Sequence, residues 1–345
     1  MTNRLIAMSI ALLIASCVSA WAQDRLRVGY RKEAAPFVYQ EDGERVGFLY
    51  DLCKHILDKT GLPYEWTLVE ADSRLPALGA GKDGLQIDLL CDPLTVTLKR
   101  SETILFSPVL FVSGGSYLEV EFREGSASQM AYARGRSAWE ELGEAVSHDG
   151  TTVPFSEQPA KGTKQVSVKS CSVLQKGQIG SIRIGIIKDS TGPEIIASAL
   201  LSENPSAVNP SPWETVCYEE FNSHSDGLAN LCKGSKEDEY PLSYYFGDRD
   251  IILTYLERQL ESQGGCPDVV ASDRFYSIEP YALGVSERVS REQYILLQNA
   301  LFEAFSETYE ESGTSLPFFL FQKYFRSSRP SSSLSAVFTS LMVPR

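Results

Sequence analysis

Residues 26–30 read LRVGY, residues 48–57 FLYDLCKHIL, residues 66–69 WTLV and residues 87–91 IDLLC, and the changes of period between them decide the fold. Leu26, Val28 and Tyr30 alternate with polar neighbours, as a strand with one face on a core would. Pro36 and Asp42-Gly43 then mark a turn. Phe48, Leu52, Cys53, Ile56 and Leu57 recur at helical spacing, and Gly61 stands where a helix C-cap belongs. Trp66–Val69 is strand-like, a short helix is expected near Arg74–Gly79, and Ile87–Cys91 reads as a buried strand. The pattern β-α-β-α-β over roughly the first 100 residues implies a parallel sheet covered by helices.

Working outward, the pattern restarts later. Ile182–Ile187 reads as a strand, and Thr191–Leu201 as a helix opening with a Thr191/Glu194 capping box and Pro193 in its first turn. A strand at Thr215–Tyr218, a helix at Gly227–Cys232 and a strand at Tyr244–Phe246 complete a second α/β unit, followed by an amphipathic helix, Arg291–Tyr309. Residues 121–180 are rich in Gly, Ser, Lys and Gln with poor periodicity, and read as a surface insertion with one candidate helix at Ser137–Val146. The Ser/Pro-rich stretch Ser327–Ser335 reads as a loop before a final apolar turn.

A chain of 345 residues suggests about two domains, or one large one. With 32 Lys and Arg against 45 Asp and Glu, the formal charge is −13, which argues against nucleic acid or an anionic membrane surface as partner. Asn3 and Arg4, the apolar run Leu5–Ser16 and Ala20-Trp21-Ala22 follow the plan of a secretory signal peptide, expected to cover residues 1–22. Ile14-Ala15-Ser16-Cys17 also fits a lipoprotein site with Cys17 as the lipidated residue. Six cysteines would remain after cleavage: Cys53, Cys91, Cys171, Cys217, Cys232 and Cys266. In an oxidising compartment they read as disulfides of undetermined pairing.

Catalytic machinery is sparse. The three histidines, His55, His148 and His224, show no metal or triad spacing, and no CxxC pair occurs. Gly79-Ala80-Gly81-Lys82 fails the phosphate-loop pattern, with Pro76 in place of its first glycine and Asp83 in place of its Ser/Thr. No catalytic residue, metal or cofactor is therefore assigned. The informative constellation is Thr95-x-Thr97-x-x-Arg100, followed by Phe106-Ser107-Pro108. Just after a strand, it sets two hydroxyls and a guanidinium at the sheet edge where open α/β sheets bind ligands. The planar guanidinium fork suits a carboxylate.

In order along the chain, Gly29-Tyr30-Arg31, Pro36-Phe37, Gly47-Phe48, Asp51-Leu52, Ser73-Arg74, Asp88-Leu89-Leu90-Cys91, Thr95–Arg100 and Phe106-Ser107 resemble the bacterial amino-acid-binding family of periplasmic solute-binding proteins. Asp189-Ser190-Thr191, His224–Leu228, Tyr245–Arg249 and Glu279-Pro280-Tyr281 extend the likeness, which covers about residues 25–118 and 182–345. The resemblance implies an α/β, two-lobed type II periplasmic-binding fold, each lobe a mainly parallel sheet flanked by helices. Residues 25–118 and 284–345 would form lobe 1 and 119–283 lobe 2. Two hinge strands would cross near Tyr117–Val120 and Ile278–Leu283.

It further implies a monomer in the periplasm that closes on an amino acid and is recognised by the membrane permease of an ABC importer. Arg100 and Thr95 would hold the ligand α-carboxylate, Thr191 would add a hydroxyl and a backbone N–H, Asp248 would take the α-ammonium, and Phe37, with Phe48, would form an apolar wall. The nearest branch resembles the glutamate/aspartate binders, in which residues matching Arg31, Arg74 and His224 recognise the acidic side chain. Ala71 and Pro93 stand where that branch carries serines.

Each residue also has a plain structural reading: Arg31 as a solvated charge, Arg74 as an ordinary first-turn helix residue, His224 as a turn histidine, Asp248 as a helix cap, Phe37 as core. Two other functions fit the same scaffold. One is a dehydratase-like lyase acting on a small carboxylic acid, with Asp248, Glu279 or His224 as acid or base. The other is a ligand-sensing module with residues 121–180 as its contact surface.

Overall fold

The computed structural model describes residues 25–79, 84–120, 168–173, 182–202, 216–233, 242–261, 269–272, 275–309, 313–325 and 330–342. The segment read as an export signal with Cys17, the candidate helix at 137–146, His148 and Cys266 lie outside the described residues, as does most of the segment read as an insertion.

The β-α-β-α-β reading is realised in a six-stranded sheet. Its order is Tyr64–Leu68, Leu26–Tyr30, Leu89–Thr95, Glu279–Val285, Leu105–Phe106, with Phe111–Ser113 also pairing to Glu279–Val285. The first three strands run parallel, and Glu279–Val285 runs antiparallel to its neighbours. Helix Phe48–Thr60 buries Phe48, Leu49, Leu52, Cys53, Ile56 and Leu57 along one stripe and ends at Gly61 in the left-handed conformation, φ 67°. A disulfide from Cys53 to Cys91 ties it to strand Leu89–Thr95.

The second sheet is also six-stranded: Lys169–Ser170, Val216–Phe221, Ile182–Ile187, Tyr244–Asp248, Gly115–Val120, Val269–Ala271. Its first four strands are parallel, and Gly115–Val120 is antiparallel to both neighbours. A disulfide joins Cys171, in the 3-10 turn after Lys169–Ser170, to Cys217 of strand Val216–Phe221, and Cys232 is disulfide-bonded as well. The chain thus crosses from the first sheet to the second between Ser113 and Gly115, and back between Ala271 and Glu279. Both crossings fall a few residues before the positions expected from sequence, because Gly115–Val120 is wholly a second-sheet strand and Glu279–Val285 wholly a first-sheet one.

Two local expectations are corrected. Phe37 is not a ligand wall. It is 0% exposed, and its ring packs edge-on against Phe48, Phe111, Tyr281 and Phe325. Phe48 belongs to the same cluster and stacks on Phe338. Gly47 makes this packing possible: at φ 128° a Cβ would lie 2.4 Å from the Phe37 carbonyl oxygen, so only glycine fits. The second correction is the Ser/Pro-rich tail. Ser332–Ser340 is a helix, N-capped by the Ser331 hydroxyl, that buries Leu334 and Phe338. With helices Arg291–Ser306 and Leu316–Tyr324 it closes the core of the first sheet.

Because Phe37 is fully enclosed by aromatic neighbours, Phe37→Ala is expected to lower the unfolding free energy by about 3–5 kcal/mol, read as a drop in the denaturant midpoint without a change in slope.

Candidate ligand-binding cleft

Both sheets point the carboxyl ends of their parallel strands at one cleft. From the first sheet come Arg31, just after strand Leu26–Tyr30, Arg74 from the short helix after Tyr64–Leu68, Pro93 and Thr95 at the end of Leu89–Thr95, and Arg100 from the short helix that follows it. From the second come Ile187 with Ser190, Thr191 and Gly192, then His224 after Val216–Phe221, and Phe246 to Asp248 at the end of Tyr244–Asp248. Glu279 enters from the returning strand. Seven of the eight residues expected at the site, Arg31, Arg74, Thr95, Arg100, Thr191, His224 and Asp248, therefore line a single cleft, and Phe37 does not.

The floor of the cleft is an ion pair. Arg31 Nε donates to both Asp92 oxygens at 2.8 and 2.9 Å, with Asp92 fully buried. Burial works against the charge on Arg31, but Asp92 outweighs it and holds the guanidinium more firmly protonated than usual. The solvated reading of Arg31 therefore fails. Asp92 was missed in the sequence, where the available signal was a charge inside the apolar run Leu89-Leu90-Cys91-Asp92-Pro93-Leu94.

Arg74 is 4% exposed. Its Nη2 donates to the Asp189 carbonyl at 3.3 Å, and Asp92 Oδ2 is 3.6 Å from its Nε. Its Nε and Nη1 are buried without a hydrogen-bond acceptor. Burial and the charge of Arg31 push the Arg74 guanidinium down to about 9. Arg100 sits on the short helix Leu98–Ser101, where its own backbone N–H donates to the capping Thr97 hydroxyl. Its guanidinium donates to the Thr95 carbonyl at 2.9 Å and across the cleft to the Asp189 carbonyl at 3.0 Å. Asp189 carries φ 53°, a left-handed backbone that turns its carbonyl group to these two arginines. Lys188 lies 3.8 Å from Asp72, and Thr191 Oγ1 donates to Glu279 Oε2 at 3.2 Å. The segment Lys188–Thr191 thus bridges the two walls.

On the opposite wall, His224 stacks on Tyr255 and pairs through Nδ1 with the Tyr245 hydroxyl at 3.0 Å. Burial, with Arg31 and Arg74 nearby, keeps it neutral, well below its usual range. Asp248 is pushed up to about 7 by burial and by the charge of Glu279, against a lowering pull from the Tyr281 hydroxyl. Glu279 is 4% exposed. Sequence reading placed it only as a catalytic alternative; its position before Pro280 gives no periodic signal.

Among the described residues, no group of three or more His, Cys, Asp or Glu side chains could hold a metal ion, and no helix is long and apolar enough to cross a membrane.

This architecture is the type II two-lobed binding fold. It superposes on an ancestral arginine-binding protein bound to glutamine with a TM-score of 0.55 at 21% identity, covering 88% of this chain and 98% of that one. Residues 26–123 match the bacterial extracellular solute-binding proteins, family 3. The chain is 25% identical over 184 residues to a probable histidine-binding protein of Campylobacter jejuni, covering 53% of this chain and 66% of that protein. It is 28% identical over 116 residues to the lysine/arginine/ornithine-binding periplasmic protein of Escherichia coli K12, covering 33% and 43%. The match thus spans just under two-thirds of the first relative and under half of the second. Over residues 26–123 the chain is thus similar to the family-3 solute-binding proteins. The two relatives are named for histidine and for lysine, arginine and ornithine, not for acidic amino acids.

His224 and Asp248 load pH dependence of opposite sign. His224 is neutral when folded and takes a proton on unfolding, so below about pH 6.5 its contribution to stability is lost as pH falls. Asp248 holds its proton up to about 7 when folded and to 3.8 as a free side chain. Over that window its contribution grows as pH falls. Between pH 6.5 and 4, Asp248→Asn is expected to steepen the loss of stability on acidification relative to wild type, and His224→Gln to flatten it. Each slope should change by up to about 1.4 kcal/mol per pH unit, measured by urea unfolding at a series of pH values.

Proposed function

We propose that this chain is an extracytoplasmic amino-acid-binding protein that captures its ligand between two lobes and delivers it to the permease of an ABC importer. The observation that carries this is the convergence of Arg100, Thr95, Thr191 and Asp248, from three separate segments, on one cleft. Arg100 and Thr95 are read as the carboxylate clamp. Helix Gly192–Ser202 begins at the cleft beside them, and the positive end of its dipole favours an anion. Asp248 is read as the partner of the α-ammonium, since a buried ammonium needs a carboxylate. The protein is read as a monomer of the periplasm, exported by the signal at residues 1–22. Its lobes follow the two sheets, dividing between Ser113 and Gly115 and between Ala271 and Glu279, and close by hinge motion.

Within that class the charges favour an acidic amino acid. A cationic side chain would enter beside Arg31 and Arg74, two buried guanidiniums close enough for one to depress the other. A carboxylate would instead supply the acceptor that Arg74 Nε and Nη1 lack. Three or four charge-assisted hydrogen bonds, each contributing about 1.5–3 kcal/mol, support binding near micromolar after ordering costs, about −8 kcal/mol. The reading is capture rather than catalysis.

Calorimetric titration of the refolded, ligand-stripped protein against the common amino acids tests it. Glutamate or aspartate is expected to bind at about micromolar strength. Arg100→Ala should abolish binding. Arg74→Ala should weaken glutamate by ~10–100-fold while leaving glutamine within a few-fold. Tighter binding of arginine, lysine or histidine would overturn the acidic assignment and leave the class intact. Binding of no amino acid would overturn the class and direct attention to turnover of a prephenate-like acid.

A further inference from the structure

The cleft holds two carboxyl groups on its ammonium side where the amino-acid reading uses one. Asp248 ends a strand of the second sheet, and Glu279 begins the strand that returns to the first. Both line the cleft, and Glu279 is almost wholly enclosed. Glu279 Oε2 accepts from Thr191 Oγ1, so the hydroxyl assigned to the ligand also fixes this carboxylate. Asp250 is not a third member, because its Oδ2 is taken by the Ser113 hydroxyl at 2.8 Å.

We infer that Glu279 is a ligand-binding residue which, with Asp248, forms a two-carboxyl cage for the ligand ammonium, and that the ammonium displaces a proton from this pair as it enters. The inference rests on the amino-acid reading of the cleft and deepens it. A second feature of the same cleft independently points to a ligand: Arg74, almost fully buried, presents Nε and Nη1 with no acceptor.

The charged and titratable groups around the pair come from every side. Arg31 and Arg100 lie on the first-sheet wall, Tyr281 is two residues along the returning strand, and Asp250 and the neutral His224 are on the second-sheet wall. Asp248 carries its proton near neutrality because burial and the Glu279 charge both oppose its ionisation. A ligand ammonium reverses that balance by adding a positive charge between the two carboxyls. The proton leaves Asp248 to solvent and no covalent bond is made or broken in the ligand.

The experiment compares L-glutamate with glutarate, which lacks only the ammonium, in wild type, Glu279→Gln and Asp248→Asn. L-arginine and 5-guanidinopentanoate run in parallel, so that the comparison survives a basic ligand. Titration in buffers of different ionisation enthalpy counts the protons. Wild type is expected to prefer the amine-bearing acid by at least ~100-fold and to release about 0.5–1 proton per molecule bound at pH 6–7. Glu279→Gln should cut the preference by ~10-fold or more, and Asp248→Asn should abolish proton release.

A purely structural Glu279 would weaken both members of each pair equally, and that result overturns the inference. So does binding by wild type without proton release, a readout that does not depend on any variant folding. If wild type binds neither L-glutamate nor L-arginine, the amino-acid reading fails first and takes this inference with it.

Discussion

A charge enclosed by protein must find a partner, and the Arg31–Asp92 pair is where that constraint organises this molecule. Removing two ions from water costs several kcal/mol each unless close geometry and added hydrogen bonds offset it. Here one Nε reaches both oxygens of a fully buried carboxylate that sits in the middle of a strand. With those two charges committed to each other, Arg74, Arg100 and Glu279 on the first-sheet wall and Asp248 on the second remain to give the cleft its polarity. That leftover polarity distinguishes the cleft from an ordinary groove between two sheets.

The second-sheet segment Lys188–Thr191 shows how the polarity is joined across the gap. Two guanidiniums converge on one backbone carbonyl, and a hydroxyl meets a carboxylate. None of these groups is a large apolar surface, so the walls meet through polar contacts that water or a ligand carboxylate can replace at little cost. The densest aromatic packing lies elsewhere, in the cluster around Phe37 and Phe111.

Much of this was legible in the sequence, and the exceptions have physical reasons. Helix Phe48–Thr60 and its Gly61 cap were readable because burial on one stripe imposes a period of 3.6 residues and the end requires positive φ. Thr95 and Arg100 were readable because strand ends in a parallel sheet point to a common edge, whereas Thr191 and Asp248 were placed by the resemblance to the amino-acid-binding family. Phe37 was undecidable by residue type, since an aromatic ring lines a site or fills a core with equal chemistry. Helix Ser332–Ser340 was hidden by composition: serine is a poor interior helix residue, and only Leu334 and Phe338, four apart, carry the signal. Asp92 was missed, and Glu279 was named only as a catalytic alternative, because their partners Arg31 and Thr191 lie far away in sequence and a one-dimensional pattern does not show such pairing.

The two sheets are threaded differently, and this bears on the order in which they can be completed. Every strand described in the second sheet falls between residues 115 and 271, whereas the first needs strands from residues 26–30 and 279–285 and a core closed by helices reaching residue 340. In a chain emerging amino end first, the sheet that starts first is therefore finished last. Until its final segments arrive, the apolar stripe of helix Phe48–Thr60 lacks its cover. Closing so long a loop is slow compared with local pairing. The late-arriving carboxyl-terminal helices therefore set the interval over which the nascent chain stays vulnerable to aggregation.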